Sequence, residues 1–105
     1  MDRKFTLSYL PQFEHDLGLA RDYITFTLLN HEAALRLIED AEKAILRRLD
    51  NPLSFQPYPS KRKRKHPYYR ISVRNFSIFY VVIGNVMEVR RFVYNKRNLP
   101  EILDS

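Results

Sequence analysis

A chain of 105 residues is long enough to bury one core and too short for two, so residues 1–105 are expected to form a single domain. Hydrophobic residues at 45%, aromatics at 13% and only two glycines exclude a disordered chain; the lack of cysteine excludes disulfides and thiolate metal sites, and fits a reducing cytoplasm. Charge is uneven: residues 1–60 hold seven Lys/Arg against nine Asp/Glu, whereas residues 61–105 hold eleven against three, which suits a polyanion or an acidic protein as partner.

Met1-Asp2-Arg3-Lys4-Phe5 leads into alternation and not into a continuous apolar run, so neither a signal peptide nor a membrane span is expected. Phe5-Thr6-Leu7-Ser8-Tyr9 alternates large apolar with polar residues and predicts a short strand with Phe5, Leu7 and Tyr9 facing inward. Pro11 suits the first turn of a helix. Phe13, Leu17, Ala20, Ile24 and Leu28 then recur at steps of three or four, lining one face of a helix that runs to about Leu29. Asn30 caps a second helix whose first turn holds Glu32 and whose buried stripe is Ala34, Leu37 or Ile38, Ala41, Ile45 and Leu49. Asp50-Asn51-Pro52 ends it, and the two helices form an antiparallel hairpin with almost no loop.

Pro52, Pro57, Pro59 and Pro67 make the next stretch an extended connector, within which Lys61, Arg62, Lys63, Arg64, Lys65 and His66 follow one another. From Tyr68 to Asn98 the chain reads as a three-strand meander, with Arg74-Asn75 and Gly84-Asn85 at hairpin spacing. The order β-αα-βββ predicts an α+β fold: an N-terminal strand and a helical hairpin packed on one face of a mainly antiparallel four-stranded sheet.

Two-residue hairpin loops would pair Ile71 with Ile78 and Tyr80 with Val89. The core face is then Tyr69, Ile71, Val73, Phe76, Ile78, Tyr80, Val82, Met87, Val89 and Val93. The other face gathers Arg70, Phe79 and Arg90 in one row, Ser72, Ser77 and Phe92 in the next, and Arg74, Asn75 and Tyr94 toward the end. Guanidiniums flanking a ring can hold phosphates while a base stacks on the ring; equally, the Arg stems can simply shield Phe79 from water. Arg91 falls on the core face in this register, so either its head reaches out at the edge or a bulge shifts the strand. His15 and His31 are expected on the helix surface.

The element order, Tyr69-Arg70-Ile71 with Phe76-Ser77-Ile78-Phe79-Tyr80-Val81-Val82, and the closing Val89-Arg90-Arg91-Phe92-Val93-Tyr94-Asn95-Lys96-Arg97-Asn98 together resemble the RelE/ParE superfamily of bacterial type II toxin-antitoxin toxins. RelE-type members are ribosome-dependent mRNA endonucleases; ParE-type members share the fold and inhibit DNA gyrase. The resemblance implies a toxin with an acidic antitoxin partner, acting on mRNA at the ribosome by metal-independent 2′-hydroxyl attack without a cofactor. The alternatives are a gyrase inhibitor and a toxin-like domain that retains only antitoxin binding. Matched by position, Arg70 stands for the first basic residue of the second strand and Arg97 for the basic residue after the last strand, while Ser72 and Ser77 replace further basic residues of the ribonuclease pattern. A guanidinium is always protonated, so Arg70, Arg90 and Arg97 would stabilise a transition state, and Lys96, Tyr94 or His66 would have to move the proton. Lys61 to Lys65 would form an arm for ribosomal RNA, or else a solvated loop.

Overall fold

The computed structural model describes residues 4–104; Met1–Arg3, where the reading for a signal peptide begins, and Ser105 lie outside them. Strand β1 (Thr6–Tyr9) is followed by helix α1 (Pro11–Asp22), a wider π-helical turn (Tyr23–Thr27) and helix α2 (His31–Leu49). Strands β2 (Tyr69–Val73), β3 (Phe76–Ile83) and β4 (Val86–Tyr94) and a short helix α3 (Leu99–Asp104) complete the chain. The sheet order is β1-β4-β3-β2, with β1 parallel to β4 and the other neighbours antiparallel. This is the expected α+β layout with a mixed sheet. Among the described residues no helix is long and apolar enough to cross a membrane.

Local chemistry sets the helix ends. Pro11 opens α1, where its missing N–H costs nothing. The Asn30 carboxamide oxygen accepts from Ala33 N–H at 3.0 Å and caps α2, with Glu32 in the first turn and Arg47 and Arg48 in the last. The first helix does not run on regularly to Leu29. Leu28 N–H reaches back to the Tyr23 carbonyl, and Leu29 takes a left-handed conformation with φ 54°, a cap position that normally favours glycine or asparagine. At Leu29 that conformation costs about 1 kcal/mol or more.

Both hairpins keep the expected register near their turns, Val73 opposite Phe76 and Ile83 opposite Val86. Arg74 and Gly84 supply the positive φ values, 54° and 61°. Past Tyr80–Val89 the register slips, because Phe79 pairs with Arg91 and Arg90 is the extra residue of a bulge. The face assignments of Phe92, Val93 and Tyr94 therefore change, Tyr94 coming to lie against Phe76. Phe92, expected on the outer face, turns into the helix-covered core and stacks on Phe76 at 4.7 Å, with Phe13 edge-on at 6.1 Å. Val93, expected in that core, turns to the opposite face.

The main core joins Phe13 of α1 and Leu37, Ala41 and Ile45 of α2 to Ile71, Ile78, Tyr80, Met87 and Val89 of the sheet. Leu37, not Ile38, is the fully buried member of the α2 stripe. Leu7 packs on this core, whereas Tyr9 lies at its margin, stacked on Phe13 and partly exposed. On the other face Phe79 and Val93 lie beneath Leu99 and Leu103 of α3, flanked by Tyr58, Tyr68 and Ile102. Nothing was predicted after Asn98, yet the signal exists. The Asn98 side chain accepts from Glu101 N–H at 3.4 Å and donates to its carboxylate at 3.0 Å, a reciprocal cap, and Leu99, Ile102 and Leu103 form the apolar side.

Candidate functional site

Three groups of predicted site residues lie in different settings. Arg70 is half-buried and internally engaged: its Nε donates to Ser77 Oγ at 2.7 Å and an Nη to Asn95 Oδ1 at 3.2 Å. Ser77, fully buried, donates a hydrogen bond from its hydroxyl to the same Asn95 oxygen at 2.5 Å. The guanidinium also lies 5.9 Å from the Tyr58 ring. These bonds fix Arg70 in one orientation, as charge-assisted bonds to neutral partners do. Ser77 thus supports a guanidinium at a position where the ribonuclease pattern has a charge.

Phe79 offers no stacking surface. Its side chain is fully buried under α3, ringed edge-on by Tyr58 at 5.2 Å and Tyr68 at 6.1 Å. The expected row of two guanidiniums around an exposed ring is therefore absent, because the segment after Asn98 folds over it. Arg90, at the bulge, donates to Glu88 at 2.8 Å and sits 5.9 Å from the Tyr68 ring. Burial pulls its pKa down, but bonds and charge from Glu88 and Tyr68 outweigh that and leave it above the ordinary arginine value. Arg74 pairs with Asp40 of α2 at 2.7 Å. Arg91 does not snorkel from the core face: with the bulge in place it pairs with Asp16, which also accepts from Phe92 N–H at 3.1 Å. Asp16 was not singled out in the sequence, although it is an acid one residue from the apolar stripe of α1.

The basic run is divided. Arg62 donates to the Asp104 carbonyl at 3.1 Å, and Arg64 to the Leu103 carbonyl at 3.1 Å and to the Asp104 carboxylate, while its guanidinium lies 4.8 Å from the Tyr68 ring. Lys61 lines a groove of about 420 Å³ with Tyr58, Tyr68 and Leu103. Lys63 and Lys65 are exposed and His66 is half-buried. Two of the five cations thus tie the connector to α3. At the end of β4, Tyr94 is 38% exposed with its ring 5.5 Å from Phe76, and Lys96 and Arg97 are exposed on the following turn. Neither has a side-chain hydrogen bond or ion pair among the described residues, and neither is joined to Arg70 by one. His15 and His31 are exposed. Among the described residues no group of three His, Cys, Asp or Glu is placed to hold a metal.

A feature outside the basic face was not anticipated. At the apex of the helical hairpin Tyr23, Phe26, Leu28 and Leu29 are all more than half exposed, Leu29 by 83%, and no charged residue occurs from Tyr23 to Asn30. Leu28 was expected on the buried stripe; the π-helical widening rotates it out. A contiguous exposed apolar patch of this kind marks a protein-contact surface more often than chance.

The order of elements and the four-stranded sheet are those expected of a RelE/ParE superfamily member. The family profile described as ParE toxin of type II toxin-antitoxin system, parDE, matches residues 7–99, and the chain belongs to that family. No curated protein matches the sequence significantly. Among solved structures the chain is similar to one titled as the chromosomal ParDE toxin-antitoxin system from P. aeruginosa, with a TM-score of 0.72 and 17% identity over 88% of this chain and 97% of that one. It is also similar to the E. coli DinJ-YafQ toxin-antitoxin complex, with a TM-score of 0.57 and 11% identity over 87% of this chain and 92% of that one. At such identities these two likenesses speak for the fold.

Proposed function

We propose that the protein is the toxin of a type II pair that acts as ParE-type members do, by gripping DNA gyrase, and is held in check by a small acidic antitoxin. The observation that carries this reading is how the outer face uses its charges. Arg70 is bonded to Ser77 and Asn95, Arg90 to Glu88, Arg64 to Asp104, and Phe79 is sealed under α3. Cleavage of mRNA by 2′-hydroxyl attack asks for open donors around one phosphate and for a group that can move a proton beside them. Lys96, Tyr94 and Arg97 make no side-chain hydrogen bond to that network among the described residues, which weighs against the ribonuclease reading. A protein target needs only surface, and the uncharged apex of Tyr23, Phe26, Leu28 and Leu29 provides apolar area without a desolvation penalty. The match of residues 7–99 to the ParE profile supports the same choice.

Two assays on the purified chain test it. Gyrase supercoiling is expected to fall with added protein, and a Phe26→Ser/Leu29→Ser variant with unchanged circular dichroism is expected to lose about tenfold or more in potency, the effect of removing two central apolar contacts. Translation of a defined mRNA in vitro, followed by primer extension, is expected to show intact message. Discrete cuts that vanish in Arg70→Ala and Arg97→Ala would establish the ribonuclease instead.

A further inference from the structure

We infer that the outward side of α1 and of the π-helical turn after it is an interface between two copies of this chain, which pack α1 against α1 in antiparallel fashion about a two-fold axis near Asp22.

A surface helix has one apolar stripe, and α1 has two. Phe13, Leu17, Ala20 and Ile24 belong to the core. Leu19, Tyr23 and Phe26 follow at steps of four and three on the side turned away from it, and are 58%, 56% and 73% exposed. Packing within the fold accounts for the first stripe and not for the second. Gly18 adjoins Leu19 in the interior of α1, where glycine is the poorest helix former after proline. Crowding does not call for it. A Cβ there would meet, among the described residues and outside its own helix backbone and chain neighbours, just Arg21 Nη2 at 3.6 Å, an ordinary contact. A bare backbone at that point lets a second helix approach closely.

Charge decides which partner fits. The chain carries +6, so a second copy is repelled wherever two basic surfaces meet. From Leu19 to Asn30 the sole charges are Arg21 and Asp22, which cancel and are paired at 3.0 Å. The helical hairpin covers one face of the sheet, and α3, with Arg62 and Arg64 bonded to its end, covers the other. Copies joined through the outer side of α1 therefore keep those cations pointing apart. An acidic protein or a nucleic acid finds no excess of positive charge on this stripe, whereas an identical surface matches it. In the antiparallel arrangement Leu19 of each copy meets Phe26 of the other across a strip about 10 Å long. Arg21 and Asp22 then exchange partners across the axis, two reciprocal ion pairs in place of two internal ones.

One helix face on another lies at the low end of interface sizes, below about 1,200 Å² in all, so the dimer is weak, with a dissociation constant of about 10–100 µM. Tyr23 and Phe26 also belong to the surface proposed to grip gyrase. On that reading the dimer is the form that cannot hold the target.

The test is sedimentation equilibrium of the purified full chain from about 5 to about 500 µM, a range that brackets the expected constant. The mass is expected to climb from that of one chain to that of two and no further. Leu19→Glu sets a carboxylate against Phe26 of the second copy and is expected to weaken association about tenfold or more, with circular dichroism unchanged. Gly18→Gln supplies a better helix former in open space and is expected to weaken association without lowering the Tm of the dilute chain. Arg21→Asp is expected to weaken it about threefold, and Arg21→Asp/Asp22→Arg to restore it, a rescue that a merely structural role would not give. A single-chain mass throughout would overturn the proposal. Undiminished association of both Leu19→Glu and Gly18→Gln, or a mass that climbs past two chains, would overturn it as well. Leu19 lies outside the surface proposed for gyrase, so Leu19→Glu is expected to inhibit supercoiling as the wild-type chain does. A chain that pairs and leaves gyrase untouched would sink the gyrase reading and leave the dimer standing; a monomer that inhibits gyrase would do the reverse.

Discussion

On one face of the sheet Ile78, Tyr80, Met87 and Val89 lie under helices of twelve and nineteen residues; on the other Phe79 and Val93 lie under a helix of six and a connecting loop. The first cover is held by apolar stripes whose spacing matches the helix period. The second is held by two leucines and by charged contacts from Arg62 and Arg64 to the last residues of α3. Apolar area gives the large face its stability whatever the salt, whereas exposed charge pairs contribute roughly 1 kcal/mol or less and are screened. The sheet is therefore sealed firmly on one side and lightly on the other, and the lightly sealed side carries Arg70 and Arg90.

Phenylalanine truncation on each face gives the largest expected effect. Phe92→Ala, which empties a site between Phe13 and Phe76, is expected to cost about 4 kcal/mol in urea unfolding, and Phe79→Ala about 3 kcal/mol, because α3 can settle into the space. Equal losses would mean that α3 is as rigid a cover as the hairpin. Next comes Asp16→Ala. Its carboxylate, 9% exposed, serves Arg91 at 2.8 Å and Phe92 N–H at 3.1 Å, so its removal strands a guanidinium and an edge amide at once, for about 2–3 kcal/mol. Asp16→Asn, which keeps an acceptor for the amide, should cost less; a similar loss would assign the whole effect to the charge.

The large face was legible in the sequence and the small one was not, for reasons that particular residues make plain. Phe13, Leu17, Leu37, Ala41 and Ile45 repeat at helical steps, and Gly84 and Asn75 mark turns, so hairpin, helices and register followed from period and turn chemistry. The bulge at Arg90 has no such mark. Neither glycine nor proline stands there, and the slip is enforced by Asp16 drawing Arg91 and Phe92 N–H to α1, a contact between residues far apart in the chain. Phe92, Val93 and Tyr94, beyond the slip, changed face. The cap of α3 was readable at Asn98 and Glu101, but six residues give too short a period to announce a helix. With α3 unseen, Phe79 looked like an exposed ring, and so the candidate site looked open.

A smaller effect separates the faces by pH. Tyr80 donates to the Pro52 carbonyl at 2.8 Å and accepts from Arg48 at 2.9 Å. Burial raises its pKa against the opposing pull of Arg48. In the folded protein the phenol keeps its proton beyond about pH 10, where the unfolded chain loses it, so stability from this group is complete below that pH and falls as pH rises above it. Tyr80→Phe is expected to cost about 1–2 kcal/mol at pH 8, from the buried carbonyl left unpaired, and to lack that alkaline decline. Urea unfolding at pH 8 and pH 10.5 would show the two proteins converging. Tyr9, raised by burial and by Glu42 and Glu14, declines equally in both and cancels.

The smallest stability change is the most telling about the light cover. Arg64→Ala breaks the pair with Asp104 and the bond to the Leu103 carbonyl and leaves Leu99 and Leu103 in place, so global unfolding should shift by about 1 kcal/mol or less. Local opening of α3 should respond far more, because charged contacts at its last turn are what resist it. Amide exchange is expected to quicken across Leu99–Asp104 and to stay unchanged in α2. Salt should reproduce this in the wild-type chain by screening the same pair. If exchange in α3 is the same with and without Arg64, apolar contact alone holds the helix down, and the two faces differ only in area.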